Sequence, residues 1–167
     1  MKIFFIIFLL LTCVYRLSAQ DFLKQPFLEM TLNDITMAEL FEDNIDWNFF
    51  KSKFGTPISE TLKDYDREYK EKKFIYSGAQ FRFSDYLGPY MFREASIESS
   101  NFVFSYDKTE IKVGNQIENL AQKFPNQYST RNGGRMIIYH EFADIIIVLK
   151  YNSAGIISKI VLSQSML

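Results

Sequence analysis

The spacing of apolar positions changes along the chain, and each change predicts a different element. Trp47, Phe50 and Phe54 stand at i, i+3 and i+7, with Ile45 and Phe49 widening the stripe, which predicts an amphipathic helix. Asp46 precedes the stripe as a cap, and Gly55 with Pro57 supplies the stop. Thr36 and Glu39 have capping-box spacing and predict a short helix before it. Over residues 58–73 charge dominates, yet Ile58, Leu62, Tyr65 and Tyr69 keep a helical interval, so an exposed helix or a structured loop is expected. From residue 74 the period shortens to two. Strands are expected at 74–76, 81–83, 93–98 and 102–106, the last with Phe102, Phe104 and Tyr106 in strict alternation.

The same order returns in the second half. Gly114-Asn115 opens a helix that Asn115 caps, with Glu118 three residues on. Ile117, Leu120, Ala121 and Phe124 form its apolar face, and Pro125 ends it. Three strands follow at 135–140, 144–151 and 156–163, with a turn at 152–155 between the last two. Lys53-Phe54-Gly55 lines up with Lys123-Phe124-Pro125 at an offset of 70 residues, a repeat in pattern more than in identity. The expected class is therefore α+β: a tandem repeat of a helix followed by antiparallel strands, with helices packed on one face of the sheet. The first repeat spans 35–107 and the second 108–167, after a linker at 20–34.

The string Ile111-Lys112-Val113-Gly114-Asn115-Gln116-Ile117, followed by a helix ending at Lys123-Phe124-Pro125, resembles the opening helix of BamE-like and beta-lactamase-inhibitor-protein-like (BLIP-like) domains. Ile35-Thr36-Met37 through Phe54-Gly55-Thr56-Pro57 resembles the same element, so the likeness covers roughly residues 35–162. The resemblance implies tandem repeats of a helix packed on an antiparallel sheet. It also implies exported, non-catalytic proteins that bind other proteins through the sheet face and loops. The chain departs from that family in lacking the disulfides of the inhibitor proteins and a lipobox.

The start of the chain supplies the cellular address. Lys2 is followed by nine apolar residues at 3–11 and then by the small pair Ser18-Ala19, the plan of a secretory signal peptide over residues 1–19. The apolar run is shorter than the ~20 residues that span a bilayer. The alternative, a lipoprotein signal with Cys13 acylated, is disfavoured because Thr12 stands where a small residue is usual. Cleavage after Ala19 removes Lys2, Arg16 and Cys13, leaving 17 basic against 20 acidic residues, net −3, and no cysteine. No disulfide framework or thiolate chemistry is then open to the chain, and its excess of Phe must supply the stability. A charge near zero gives no footprint for nucleic acid. The expected location is periplasmic or secreted.

No motif implies a cofactor, and no constellation points to catalysis. His140, the one histidine, lies near Glu141 and Asp144, but a lone imidazole is a poor start for a metal site. No G-x-S-x-G occurs, and Ser99-Ser100 reads as a turn. Asp64 with Asp66, and Glu42 with Asp43, are adjacent surface carboxylates without opposed environments. The stretch 64–73 holds four acidic and four basic residues, as a solvated face does. Gly133-Gly134 beside Arg131 and Arg135 offers backbone donors for a phosphate, yet a strand and not a helix follows, as after a turn. The segment 84–92 stands out. Tyr86, Leu87, Tyr90 and Met91 surround the Gly88-Pro89 turn, and this aromatic area either caps the core or meets a partner. These four residues are the candidate partner-binding site of a non-enzymatic module that engages another envelope or secreted protein. The alternative is a carrier of a lipid or other apolar ligand in a Phe-lined cavity. Trp47, on its helical stripe, is expected in the core.

Overall fold

The capping box at Thr36 forms as its spacing predicts. In the computed structural model, which describes residues 30–40, 45–65, 69–86, 88–140 and 145–164, the Thr36 N–H donates to Glu39 Oε2 at 2.7 Å and the Glu39 N–H donates to Thr36 Oγ1 at 3.2 Å. This starts helix α1 (Met37–Leu40). Helix α2 (Trp47–Phe54) is capped by Asp46, whose Oδ1 accepts from the Asn48 N–H at 2.8 Å, and ends at Gly55 with φ 81°. Phe50 and Phe54 are buried, whereas Phe49 at the stripe's edge faces solvent.

Among the described residues there are eleven strands: β1 (Met30–Leu32), β2 (Ile35–Thr36), β3 (Ser59–Tyr65), β4 (Tyr69–Tyr76), β5 (Ala79–Ser84), β6 (Met91–Ile97), β7 (Phe104–Tyr106), β8 (Thr109–Ile111), β9 (Arg135–His140), β10 (Ile145–Tyr151) and β11 (Ile157–Gln164). They form two antiparallel sheets, a four-stranded one in the order β2-β1-β7-β8 and a seven-stranded one in the order β3-β4-β5-β6-β11-β10-β9. The class is α+β, and mostly strand. In the larger sheet β6 pairs with β11, so strands of both halves share it (Ile97↔Ile160, Ala95↔Leu162). In the smaller sheet β1 pairs with β7, Thr31 lying opposite Ser105. The hairpins β1–β2 and β7–β8 turn on two left-handed residues each, Asn33-Asp34 (φ 48° and 64°) and Asp107-Lys108 (φ 46° and 62°), the geometry that matches strand twist.

Three expectations are corrected. The stretch 20–34, expected as a linker, ends in strand β1, with Met30 and Leu32 fully buried. Residues 59–65 and 69–73 are neither helix nor loop but belong to the paired strands β3 and β4, in which Lys63 lies opposite Glu71 and Asp64 opposite Lys70. Opposite charges thus face one another across the two strands rather than at helical i,i+4 spacing, and they suit a strand at a sheet edge. The helix expected over 115–124 is a 3-10 turn, Ile117–Leu120, and Pro125 begins helix α3 (Pro125–Ser129) instead of ending one. Proline lacks the N–H that a first helical position leaves unused. Asn115 does not cap: its Oδ1 accepts from the Lys112 N–H at 2.9 Å, closing a turn. Two helical pieces therefore stand where one was expected.

The core lies on one face of the larger sheet. Phe50 of α2 sits 5.2 Å, centroid to centroid, from Phe74, Phe81 and Phe83. Phe54 meets Phe81 at 4.7 Å. Each such ring pair is worth ~0.5–1.5 kcal/mol beyond its buried area. Among the described residues no helix is long and apolar enough to cross a membrane.

Candidate functional site

The connection from β5 to β6 is tied down at several points. The Asp85 N–H donates to the Lys70 carbonyl at 3.1 Å, and its carboxylate accepts from the Lys70 N–H. Gly88 donates to the Asp85 carbonyl at 3.0 Å, closing the turn with its φ at 143°. The Arg93 guanidinium donates to the Tyr86 carbonyl at 2.6 Å and to Gln164 Oε1 at 2.9 Å, while burial lowers its pKa. The four candidate residues part company here. Tyr90 turns inward, its ring edge-on to Trp47 at 5.6 Å, and burial, then Asp85 and Asp64, push its phenol up. Met91 is half-buried at the start of β6, and Leu87 lies outside the described residues. Tyr86 is the exposed one, at 44%. Its ring meets Tyr69 edge-on at 5.7 Å, and Tyr69 stacks on Tyr65 at 4.6 Å. Of the two roles weighed for the segment, Tyr90 takes that of closing the core, while Tyr86 joins a surface cluster of three tyrosines.

The remaining sequence candidates fall into place as turns and strand ends. His140 is the last residue of β9, in register with Ile145; Glu141 and Asp144 lie outside the described residues, as do Glu42, Asp43 and Asp66. Gly133 and Gly134, at φ 57° and 70°, form the turn into β9. The Gly134 carbonyl accepts from the Tyr151 N–H at 2.9 Å, and a Cβ on Gly134 would come within 2.9 Å of the Tyr151 oxygen. Arg131 lies 3.6 Å over the Tyr128 ring. A groove of about 510 Å³ opens beside this turn, lined by Glu118, Arg131, Tyr151 and Asn152 among others. A second, of about 470 Å³, runs between Thr31, Ser52, Lys53 and Glu110. Both are polar surface hollows, and the Phe rings pack on one another rather than line either. Trp47 packs at the edge of the core, 5.1 Å from Phe83 and 5.4 Å from Phe74, with the Lys72 ammonium 4.8 Å over its ring.

The face of the larger sheet turned away from the core holds what the sequence reading missed. Across β4, β5 and β6 this face is charged: Lys73, Arg82 and Glu94 are register neighbours, and Arg82 bridges Glu94 at 2.9 Å. Across β11, β10 and β9 it carries an aliphatic patch. Val161, Val148 and Ile137 lie side by side in register, with Ile146 and Tyr139 in the next row. Ile137 is 54% exposed and Tyr139 48%. A strand with one wet face should alternate apolar and polar, as β5 does. Residues 145–149 run Ile-Ile-Ile-Val-Leu without a break, the pattern of a strand meant to be covered on both faces. That run was the available signal; the strand neighbours that turn it into a patch come only from the register.

Comparison with known proteins found no matching family model, no similar curated protein and no similar solved structure.

Proposed function

We propose that the protein is an exported, non-catalytic binding module that engages another envelope or secreted protein through the outer face of β9–β11, with the tyrosines around Tyr86 as a secondary contact. The observation that carries this reading is the aliphatic patch of Ile137, Val148 and Val161, since contiguous apolar surface on an exposed sheet face commonly marks an interaction site. Export rests on the signal-like run at 1–19. A tandem origin of the two halves, as in BLIP-like proteins, draws support from the paired hairpins β1–β2 and β7–β8, each leading into helical turns and then strands. Packing lends nothing to the carrier alternative, because the rings between α2 and the sheet are in contact with one another.

The test is capture of partners by the tagged full chain from the envelope and secreted fractions of its source cell. Ile137→Thr with Val148→Thr keeps strand propensity and removes apolar surface. A stoichiometric protein lost with this variant at unchanged melting temperature supports the reading. Undiminished capture by the variant overturns it.

A further inference from the structure

Beside the aliphatic row lies a row of cations. The register sets Arg135 opposite Lys150 and Lys150 opposite Lys159, on β9, β10 and β11. The three are one strand spacing, about 4.8 Å, apart in the pairing direction. They occupy the same face as Ile137, Val148 and Val161, one step along each strand. Like charges directly opposite one another weaken a sheet, so this row is a standing cost. Among the described residues, Lys159 has a carboxylate partner in Glu98 at 2.7 Å, and neither Arg135 nor Lys150 is in a salt bridge. Elsewhere on the same face opposite charges do meet, as in Arg82 with Glu94 and Glu71, at 2.9 and 3.6 Å. Arg82, whose register neighbour Lys73 is also a cation, is answered by these carboxylates, whereas no described carboxylate bridges Arg135 or Lys150.

Resting on the protein-binding reading above, we infer that the partner presents a short segment whose apolar side chains are bordered by carboxylates, the former on Ile137, Val148 and Val161 and the latter on Arg135, Lys150 and Lys159. Size and charge select this occupant. Three strands and three residue rows make a patch of roughly 300 Å². A stable dimer commonly buries about 800 Å² on each partner, so the patch suits one helix or strand and not a second copy. A second copy would also bring the same cations. An anionic bilayer is the poorer fit, since lipid-binding clusters commonly gather about four to eight Lys and Arg. Here the chain as a whole is slightly acidic, at −1.

The experiment follows amide signals of the isotope-labelled full chain by NMR during titration with three synthetic peptides. All three share one alternating Ile/Val/Tyr face, flanked by Glu, by Lys or by Ser. The expected result is that the Glu peptide shifts Ile137, Val148, Lys150 and Val161 and binds at least about fivefold more tightly than the Lys peptide, as ~1 kcal/mol of charge pairing requires. Arg135→Glu with Lys150→Glu should reverse that order. The neutral pair Arg135→Gln with Lys150→Gln should abolish it, which keeps the test intact if the reversed variant folds poorly. Equal affinity for all three peptides on β9–β11 overturns the acidic-segment inference while leaving the protein-binding reading in place. Shifts confined to other elements overturn it too. So do stronger shifts of the same signals with phosphatidylglycerol vesicles, which assign the face to lipid. The same shifts on β10 and β11 from concentrating the chain alone would assign it to a second copy.

Discussion

Tyr76 carries a buried hydroxyl that has no hydrogen-bond partner among the described residues. Burial, with a smaller push from Glu60, raises its phenol to about 12 from 10.0. An unsatisfied buried donor costs ~1–3 kcal/mol, so Tyr76→Phe should be neutral or stabilising by about 1 kcal/mol in urea unfolding. The pH dependence has a fixed sign. The native state holds this proton more tightly than the unfolded chain, so its contribution is full below pH 10.0 and falls as pH rises toward about 12. The Phe variant should lack that alkaline loss. Glu60 works in the opposite range. Hydrogen bonds from Lys51, at 2.6 Å, and Lys72, at 2.7 Å, hold its carboxyl below the ordinary 4.5. Its contribution is present above 4.5 and lost as pH falls through the lowered value. Glu60→Gln should cost up to about 1 kcal/mol at neutral pH, screened by salt, and nothing in acid.

Among the elements, the ones made by local chemistry were legible. Asp46 capped α2 as read, and Asp46→Ala should cost about 1 kcal/mol in thermal or urea unfolding, with Asp46→Asn close to neutral. The tight turn between β4 and β5 needs Gly78: at φ 76° its Cβ would lie 2.4 Å from that of Ser99. Gly78→Ala should therefore destabilise by more than ~1 kcal/mol, beyond the ordinary cost of a left-handed alanine. Strands β5, β9 and β11 were legible from alternation or apolar runs between turn residues. The failures share a physical cause. Ile58, Leu62, Tyr65 and Tyr69 keep a helical interval, whereas the strands form through cross-strand partners such as Lys63 with Glu71 and Asp64 with Lys70, which a local reading does not contain. Residues 115–124 carry a helical stripe, but the Ile117 N–H donates to the Gly155 carbonyl at 2.8 Å, a tertiary bond that a local reading does not contain. The same limit holds for the candidate site: the sequence did not separate Tyr86, which is exposed, from Tyr90, which packs on Trp47, and the cationic and aliphatic rows exist only through register.

At the scale of the molecule, the halves are joined at two places. Strand β7 pairs with β8 in one sheet and β6 with β11 in the other. Neither half completes a sheet alone, so unfolding followed by Trp47 fluorescence and by far-ultraviolet circular dichroism should give one coincident transition. A chain divided between residues 107 and 108 should yield two unfolded pieces, since that division cuts the β7–β8 turn. The larger sheet ends on two unlike strands. Its β3 border carries Glu60, Lys63 and Asp64, whereas the β9 border carries Met136, Ile137, Ile138 and Tyr139. Charged borders resist the addition of further strands, and apolar ones invite it. A sheet that can lengthen from one side only exhausts its growth in a single step, because two molecules joined β9 to β9 present β3 at both ends. Crowding should therefore drive this chain toward pairs and stop short of fibres.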